Sequence, residues 1–374
     1  MPLIEISSEL DFALPTPVRI PVPTGTDLPQ GALQLREEGG DRVVPAQRDG
    51  DGLVAVLSGL GRGKKQRYQV GRGGSETGVV VKEEPHALAI SLPEGLFTTY
   101  HFDPALARPF FYPVHAPGGK MVTRSYPMKD VPGEAKDHPH HRSFWTAYGE
   151  VNNVDDWSEE PGHGKIKHQK TEAIHSGPVF GGFTTSSVWT SRDDAPLLDE
   201  RRSIRVYNVG PNQRLLDYDV HLIAAHGDVH YGDTKEGGIL AFRVATTMDG
   251  NKGGRMENST GGVTEKQVWG KRATWLDYSG PVDGQIFGIG MMDHPGNLNH
   301  PCYWHARDYG LVGTNPFARA SFEKGQPDTG HHQKKGETLT FRYRVLIHRG
   351  NAAEGRVDDA YHGWVQAPVG RIVG

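Results

Sequence analysis

The chain is poor in the residues that define several large protein classes. It has one cysteine, Cys302, in 374 residues, which leaves no partner for an intramolecular disulfide and excludes zinc or iron–sulfur sites built on several thiolates. No basic excess exists: 41 Lys and Arg stand against 45 Asp and Glu, a formal charge of −4. The positive field that nucleic-acid binding requires is therefore missing. No apolar run approaches the roughly 18 residues of a membrane span; the longest notable one, Ile286 to Met292, is broken by Gly288 and Gly290. The opening stretch MPLIEISSELDFALPTPVRIPVP carries acids where a secretory leader needs a basic start, so a cytoplasmic protein is expected. The first 85 residues hold few aromatics and no histidine.

What is present points to turns and strands. Gly (49) and Pro (26) together make 75 of 374 residues, about 20% against a usual 12% or so, with no G-X-Y period that would indicate collagen. Histidine is abundant, 19 residues, all from His86 onward. In the first 85 residues Leu33 to Leu35, Arg42 to Ala46, Leu53 to Leu57 and Gln66 to Val70 are short β-prone runs between turn residues, and predict a small β module. The segment G59-L-G-R-G-K-K lacks the Ser or Thr of a phosphate loop and reads as a basic hairpin turn.

Beyond residue 85, alternation is clearest in T338-L-T-F-R-Y-R-V-L-I-H, where Leu339, Phe341, Tyr343, Val345 and Ile347 share one face. Period two places those side chains on one side of a half-exposed strand. The same pattern puts Leu216, Tyr218, Val220 and Leu222 inward, and recurs over Phe183 to Thr190 and Ala273 to Tyr278. Many strands with few helices imply a sandwich or barrel. The one good helix signal lies near the end, with Asn351 as N-cap and Val357, Tyr361 and Trp364 at helical spacing. The expected organisation is a module over 1–85 and a larger β domain over 86–374.

Four segments concentrate titratable and aromatic residues. In D137-H-P-H-H-R-S-F-W-T-A-Y-G-E-V-N-N-V-D-D-W, an extended backbone would set His138 and His140 on one face and His141 on the other. Such a pair can ligate a divalent metal or act on a bound sugar, while Trp145, Tyr148 and Trp157 supply a flat apolar surface for sugar rings and Asn152 a polar substrate contact; a solvated loop around Pro139 is the plain alternative. In H226-G-D-V-H-Y-G-D-T-K-E-G-G, Glu236 ends the approach to a strand over 239–244. Desolvation there would raise its pKa toward that of a general base, whereas a surface pairing with Lys235 is the alternative. In M291-M-D-H-P-G-N-L-N-H-P-C-Y-W-H-A-R-D-Y, His294 or His305 would donate a proton, Arg307 clamp a carboxylate or hydroxyl pair, and Trp304 and Tyr309 contact substrate. In R108-P-F-F-Y-P-V-H-A-P-G-G-K-M-V-T-R, Arg108, His115 and Arg124 lie in a Pro-stiffened wall.

The blocks RPFFYPVHAPGGKMVTRSYPM, DHPHHRSFWTAYGEVNNVDDW, GDTKEGG, DHPGNLNHPCYWHARDYGL and NPF resemble the bacterial PmoA or "methane oxygenase" family, also carried as a domain of unknown function. A membrane-embedded oxygenase subunit would need a spanning segment, which this chain lacks. That family in turn resembles the galactose mutarotase-like supersandwich shared by aldose epimerases, some polysaccharide lyases and some glycoside hydrolases. The resemblance implies an all-β, large antiparallel supersandwich with a cleft lined by His, Arg, Trp and one catalytic carboxylate. It also implies Glu236 as the base and His140 or His305 as the acid, although the aldose-epimerase signatures themselves are absent.

Function is expected to be His/Glu acid–base chemistry on a small carbohydrate, as epimerase, lyase or hydrolase, with no nucleic acid or membrane as partner. No cofactor is required by that reading. The alternatives are a metal-dependent enzyme, with His138 and His140 beside a third His or Glu236, and a non-catalytic sugar-binding protein using Trp145, Trp157 and Trp304.

Overall fold

A computed structural model of the chain describes residues 2–74, 78–328 and 330–373. Short strands dominate, paired antiparallel in three large sheets and one two-stranded ribbon. The β-prone runs of the first 85 residues form the strands Leu33–Glu37, Val43–Asp49, Gly52–Leu57 and Lys65–Arg72 of a seven-stranded sheet. Its edge is the last strand of the chain, Val369–Ile372, in register with Leu3–Ser7 so that Ile4 faces Ile372. Val80–Glu84 instead belongs to a nine-stranded sheet, running from Tyr303–Ala306 through Leu311–Asn315, Gly237–Arg243, Phe144–Tyr148 and Phe110–Ala116 to Gly95–His101 and Ala87–Leu92.

An eight-stranded sheet packs on the nine-stranded one. In it the alternating segment Thr338–Arg349 pairs along its length with Gln213–Ile223. Phe341, Tyr343, Val345 and Ile347 are buried on one side together with Leu216, Tyr218, Val220 and Leu222. They meet Phe111, Phe144 and Phe242 of the facing sheet; the Phe144 and Tyr218 rings lie 5.5 Å apart. This is an antiparallel sandwich whose interior follows from period two. A charged pair sits inside it: Arg202 and Glu200 are both solvent-free, 2.5 Å apart, with Trp189 Nε1 donating to Glu200 at 2.9 Å. Burial on this scale is tolerable only because each charge has a partner.

Helix is scarce. The helix Val357–Val365 starts five residues later than the sequence suggests, with Arg356 rather than Asn351 as its N-cap residue. Asn351 Oδ1 does accept backbone N–H groups, from Ala353 and Glu354, but closes a separate turn. Gly355 brings that turn against the His348 ring, where a Cβ would sit 2.1 Å from Nδ1. No helix among the described residues is long and apolar enough to cross a membrane.

Alternation also decides where chemistry is placed. Along the nine-stranded sheet Phe111, Phe144, Leu240, Phe242, Trp304 and Val312 enter the sandwich core. Their neighbours Phe110, Trp145, Ala241 and Leu311 form a second apolar cluster on the other face, with Trp157 folded over it. Arg243 and His305 share that outer face by the same parity.

Candidate functional site

A cavity of about 490 Å3 opens on this outer face, lined by His138, His140, His141, Asp155, Trp157, Lys235, Glu236, His305, Arg307 and Tyr309. It brings three of the four sequence segments together. A slightly larger hollow, about 510 Å3, lies between Ala46–Gly50 and His175–Phe180. Asp49 on its wall is paired with Arg205, and the smaller cavity is the one on which the expected site residues converge.

The histidine segment is not extended. His138 has φ +43°, left-handed backbone that a non-glycine residue adopts at a cost, and the His141 N–H donates to His138 O at 3.0 Å, closing a turn around Pro139. The expected two-faced alternation is therefore replaced by convergence: ring centroids lie 5.7 Å apart for His138 and His140, 4.8 Å for His138 and His141, and 4.4 Å for His140 and His141. Tyr309 stacks on the outer side of His138 at 4.9 Å, and Trp145 lies beneath His141 at 5.4 Å.

Three buried arginines hold the turn in place. Arg124 donates to the carbonyls of Ala135, Asp137 and His138 and to Asp137 Oδ1. Arg243 donates to Asp137 Oδ1 at 2.8 Å and to His141 Nδ1 at 3.1 Å. Arg108 donates to His140 O at 3.2 Å and Ser158 O at 2.9 Å, tying the turn to the loop that carries Trp157. Arg108 and Arg124 were expected to touch substrate, but both are fully enclosed and shape the wall from behind.

Burial sets the protonation states. His140 and His305 are each pulled down to about 4, chiefly by desolvation; Arg108 adds to the effect at His140, while Glu236 opposes it at His305. His141 is lowered further by the same cause. Near pH 7 both His140 and His305 are neutral imidazoles with a protonated fraction on the order of 10⁻³. They are fit to hydrogen-bond a ligand as neutral imidazoles, and not to serve as resting acids, the role expected for them. Among the described residues no hydrogen-bond partner reaches His305 Nδ1 or Trp157 Nε1, though both are buried.

Glu236 directly precedes the strand Gly237–Arg243, as the sequence suggests, and its carboxylate lines the cavity. It is 43% exposed and ion-paired with Lys235. Gly149 lets it approach: a Cβ there would stand 2.4 Å from Glu236 O. Arg307 lies over the Tyr309 ring at 5.6 Å, with Glu265 3.3 Å from its Nε.

Several expected residues lie elsewhere. His294 packs its ring against Trp364 of the C-terminal helix and accepts from the Gly296 N–H, because its strand ends at Asp293 on the far side of the sandwich. Trp304 is solvent-free and donates to Ala273 O at 2.9 Å; being next to His305, it must point the other way, into the core. Trp145 is completely buried as cavity floor, and only Trp157 of the three tryptophans lines the cavity, with 1% of its surface exposed. Broad tryptophan stacking faces are thus lacking. His115 bonds Leu96 O at 3.0 Å outside the cavity. Asn152 bridges Asp228 O and the His230 N–H beside the two-stranded ribbon.

The sequence reading passed over Asp137, Arg243 and Asp156. An arginine inside the otherwise apolar strand I-L-A-F-R-V was the available signal for Arg243. Asp156 is raised well above the usual carboxylate range by burial, and neither of its oxygens has a hydrogen-bond partner among the described residues. The proposed metal pair, His138 and His140, gains no third ligand: no group of three His, Cys, Asp or Glu at ligating spacing occurs among the described residues.

Residues 87–362 match the sequence model of a family described as "Family of unknown function (DUF6807)". No curated protein matches the chain. Among solved structures, a GalM/aldose epimerase homologue from C. elegans is 10% identical, covering 74% of this chain and 99% of that one, with TM-score 0.32. A putative aldose 1-epimerase from Escherichia coli K12 is 10% identical over 73% and 99%, TM-score 0.29. Galactose 1-epimerase from Lactobacillus acidophilus is 7% identical over 73% and 98%, TM-score 0.33.

Proposed function

Because the chain belongs to DUF6807, a family of unknown function, its activity has to be argued from its own site, and we propose that it is a carbohydrate-active enzyme working by proton transfer, as an epimerase, lyase or glycoside hydrolase. The observation that carries this is the convergence of Glu236, His140 and His305 on one cavity with Arg307 and Tyr309. Its volume falls in the range of small-molecule sites, about 300–1,000 Å3. A polyhydroxylated ligand presents both donors and acceptors, and the wall answers with imidazole nitrogens, an indole N–H, a guanidinium and a carboxylate. A catalyst fits this set better than a mere binder, since stacking surface is scarce and titratable groups are many.

In this reading the Glu236 carboxylate takes a proton from a hydroxyl or carbon acid of the sugar. The neutral His140 and His305 hold the neighbouring oxygens. The test is turnover on freshly dissolved α-aldoses, p-nitrophenyl glycosides and uronate polysaccharides by wild type, E236Q and H305A. Each variant is expected to lose roughly 10²–10⁴-fold. Wild-type rates in both would remove these assignments, and no turnover on any of the three substrate classes would remove the reading.

A further inference from the structure

We infer that His138 is the second proton carrier of this cavity and that Asp137 is its positioning residue, the two forming a carboxylate–imidazole dyad. The inference rests on the carbohydrate reading above and completes it, since His140 and His305 are held neutral and Glu236 alone cannot both accept and donate.

Four independent features converge on His138. Its Nδ1 lies 2.9 Å from Asp137 Oδ2, so Nδ1–H donates to the carboxylate and Nε2 is left for a ligand. Its ring is clasped on both sides, by Tyr309 at 4.9 Å and 12° from parallel and by His141 at 4.8 Å and 6°, which removes rotational freedom. Asp137 is fixed in turn through its other oxygen by Arg124 and Arg243, each with a side chain no more than 1% exposed. Those guanidiniums, with the hydrogen bond to His138, keep the carboxyl below its ordinary range despite partial burial. Finally, the left-handed φ of His138 is a local cost that the surrounding bonds maintain, and such strain concentrates at functional positions.

His138 is itself 40% exposed, yet a solvated histidine without a role needs none of these contacts. A carboxylate on one nitrogen fixes the tautomer and offsets the charge of the imidazolium that forms when the other nitrogen is protonated. As the C1–O5 bond of an aldose breaks, Nε2–H of the imidazolium gives its proton to the ring oxygen while Glu236 takes the proton of the anomeric hydroxyl, whose oxygen becomes the carbonyl; on ring closure Glu236 returns that proton to the carbonyl oxygen and Nε2 recovers its own from the ring hydroxyl. The charged and titratable groups that face His138 are Asp137, Arg124 and Arg243 from below, His140 and His141 from its own turn, and Tyr309, Arg307 and His305 from the opposite wall.

The experiment uses the full chain labelled with 15N-histidine, together with the sugar panel above. A downfield, slowly exchanging Nδ1–H resonance is expected in wild type and absent in H138Q and D137N. On a turned-over sugar, H138Q is expected to lose roughly 10²–10⁴-fold in kcat. D137N is expected to lose at least about tenfold in kcat with little change in KM and a displaced pH–rate profile, and D137E to recover part of the loss. Near-UV circular dichroism checks that each variant is folded, and D137E serves if D137N is not. Absence of the resonance, or a D137N profile identical to wild type, overturns the dyad. Turnover by wild type with H138Q unimpaired overturns the dyad and leaves the carbohydrate reading standing. No turnover on any sugar with the resonance present overturns the carbohydrate reading and the catalytic role with it.

Discussion

Asp277 Oδ1 and His348 Nε2 lie 2.8 Å apart in a part of the sandwich that solvent does not reach. Burial alone would depress His348, but the Asp277 charge and hydrogen bond outweigh it and the histidine ends above its ordinary value. A raised histidine contributes stability that is complete below the unfolded value of about 6.5 and is lost as pH climbs through the folded one. The Tm difference between wild type and H348Q should therefore be largest near pH 6 and shrink in alkali. Leaving Asp277 buried without its partner should cost about 3–5 kcal/mol; a gap that does not change with pH would show the pair to be uncharged.

Acid acts in the opposite direction at the cavity. Between the unfolded value of about 6.5 and the folded value of about 4 for His140 and His305, the unfolded chain binds protons that the fold refuses. Stability is therefore lost as pH drops through that window. For His305, almost fully enclosed, the shift corresponds to about 3 kcal/mol. Urea unfolding of wild type and H305N at pH 7 and pH 5 measures it: the variant should lose less on acidification, and an equal loss would mean His305 is protonated without penalty.

Gly149 sets the seat of Glu236. Its N–H donates to Glu236 O at 2.7 Å, and any Cβ would collide with that oxygen. G149A is expected to displace the carboxylate by a fraction of an ångström or more and to lower turnover by as much as about 10²-fold. Its far-UV spectrum should be unchanged. A variant with wild-type kinetics would show that Glu236 needs no fixed seat.

Trp304 and Trp157 should separate stability from ligand contact. W304F gives up the bond to Ala273 O and core volume, at a cost of about 1–3 kcal/mol by denaturant titration, with sugar affinity unchanged. W157F opens the cavity wall and should weaken sugar binding with less effect on stability. The reverse ranking would misplace the site.

Much of the sandwich was legible because period two is written directly into strands such as Thr338–Arg349, whose Phe341, Tyr343, Val345 and Ile347 enter the core as expected, although the strand is not half-exposed, since Arg344, Leu346 and His348 on its other face are buried as well. The same rule misassigned Trp304 and His305 only while both were treated as site residues; adjacent strand positions cannot share a face. The cavity's three contributing loops were visible as clusters of His, Trp and Arg. A loop around Pro139 was one of the two expectations for this segment; what sequence did not reveal was that one left-handed residue in it gathers three rings into a cluster. Nor did it reveal that Arg108 and Arg124 spend their donors on backbone carbonyls, because a guanidinium that supports a loop and one that grips a ligand look alike in a string of letters.

The pairing of Leu3–Ser7 with Val369–Ile372 bears on how the seven-stranded sheet forms. Leu3–Ser7 has both edges occupied only when it meets a strand far away in the sequence, so the sheet closes by one of the most distant contacts in the fold. Contacts this distant in sequence slow folding. They also bring Pro2 and Val373 close together: a short linker from Val373 to Pro2 should let residues 2–373 be circularly permuted, with new termini opened at an exposed hairpin such as Asp283–Gly284.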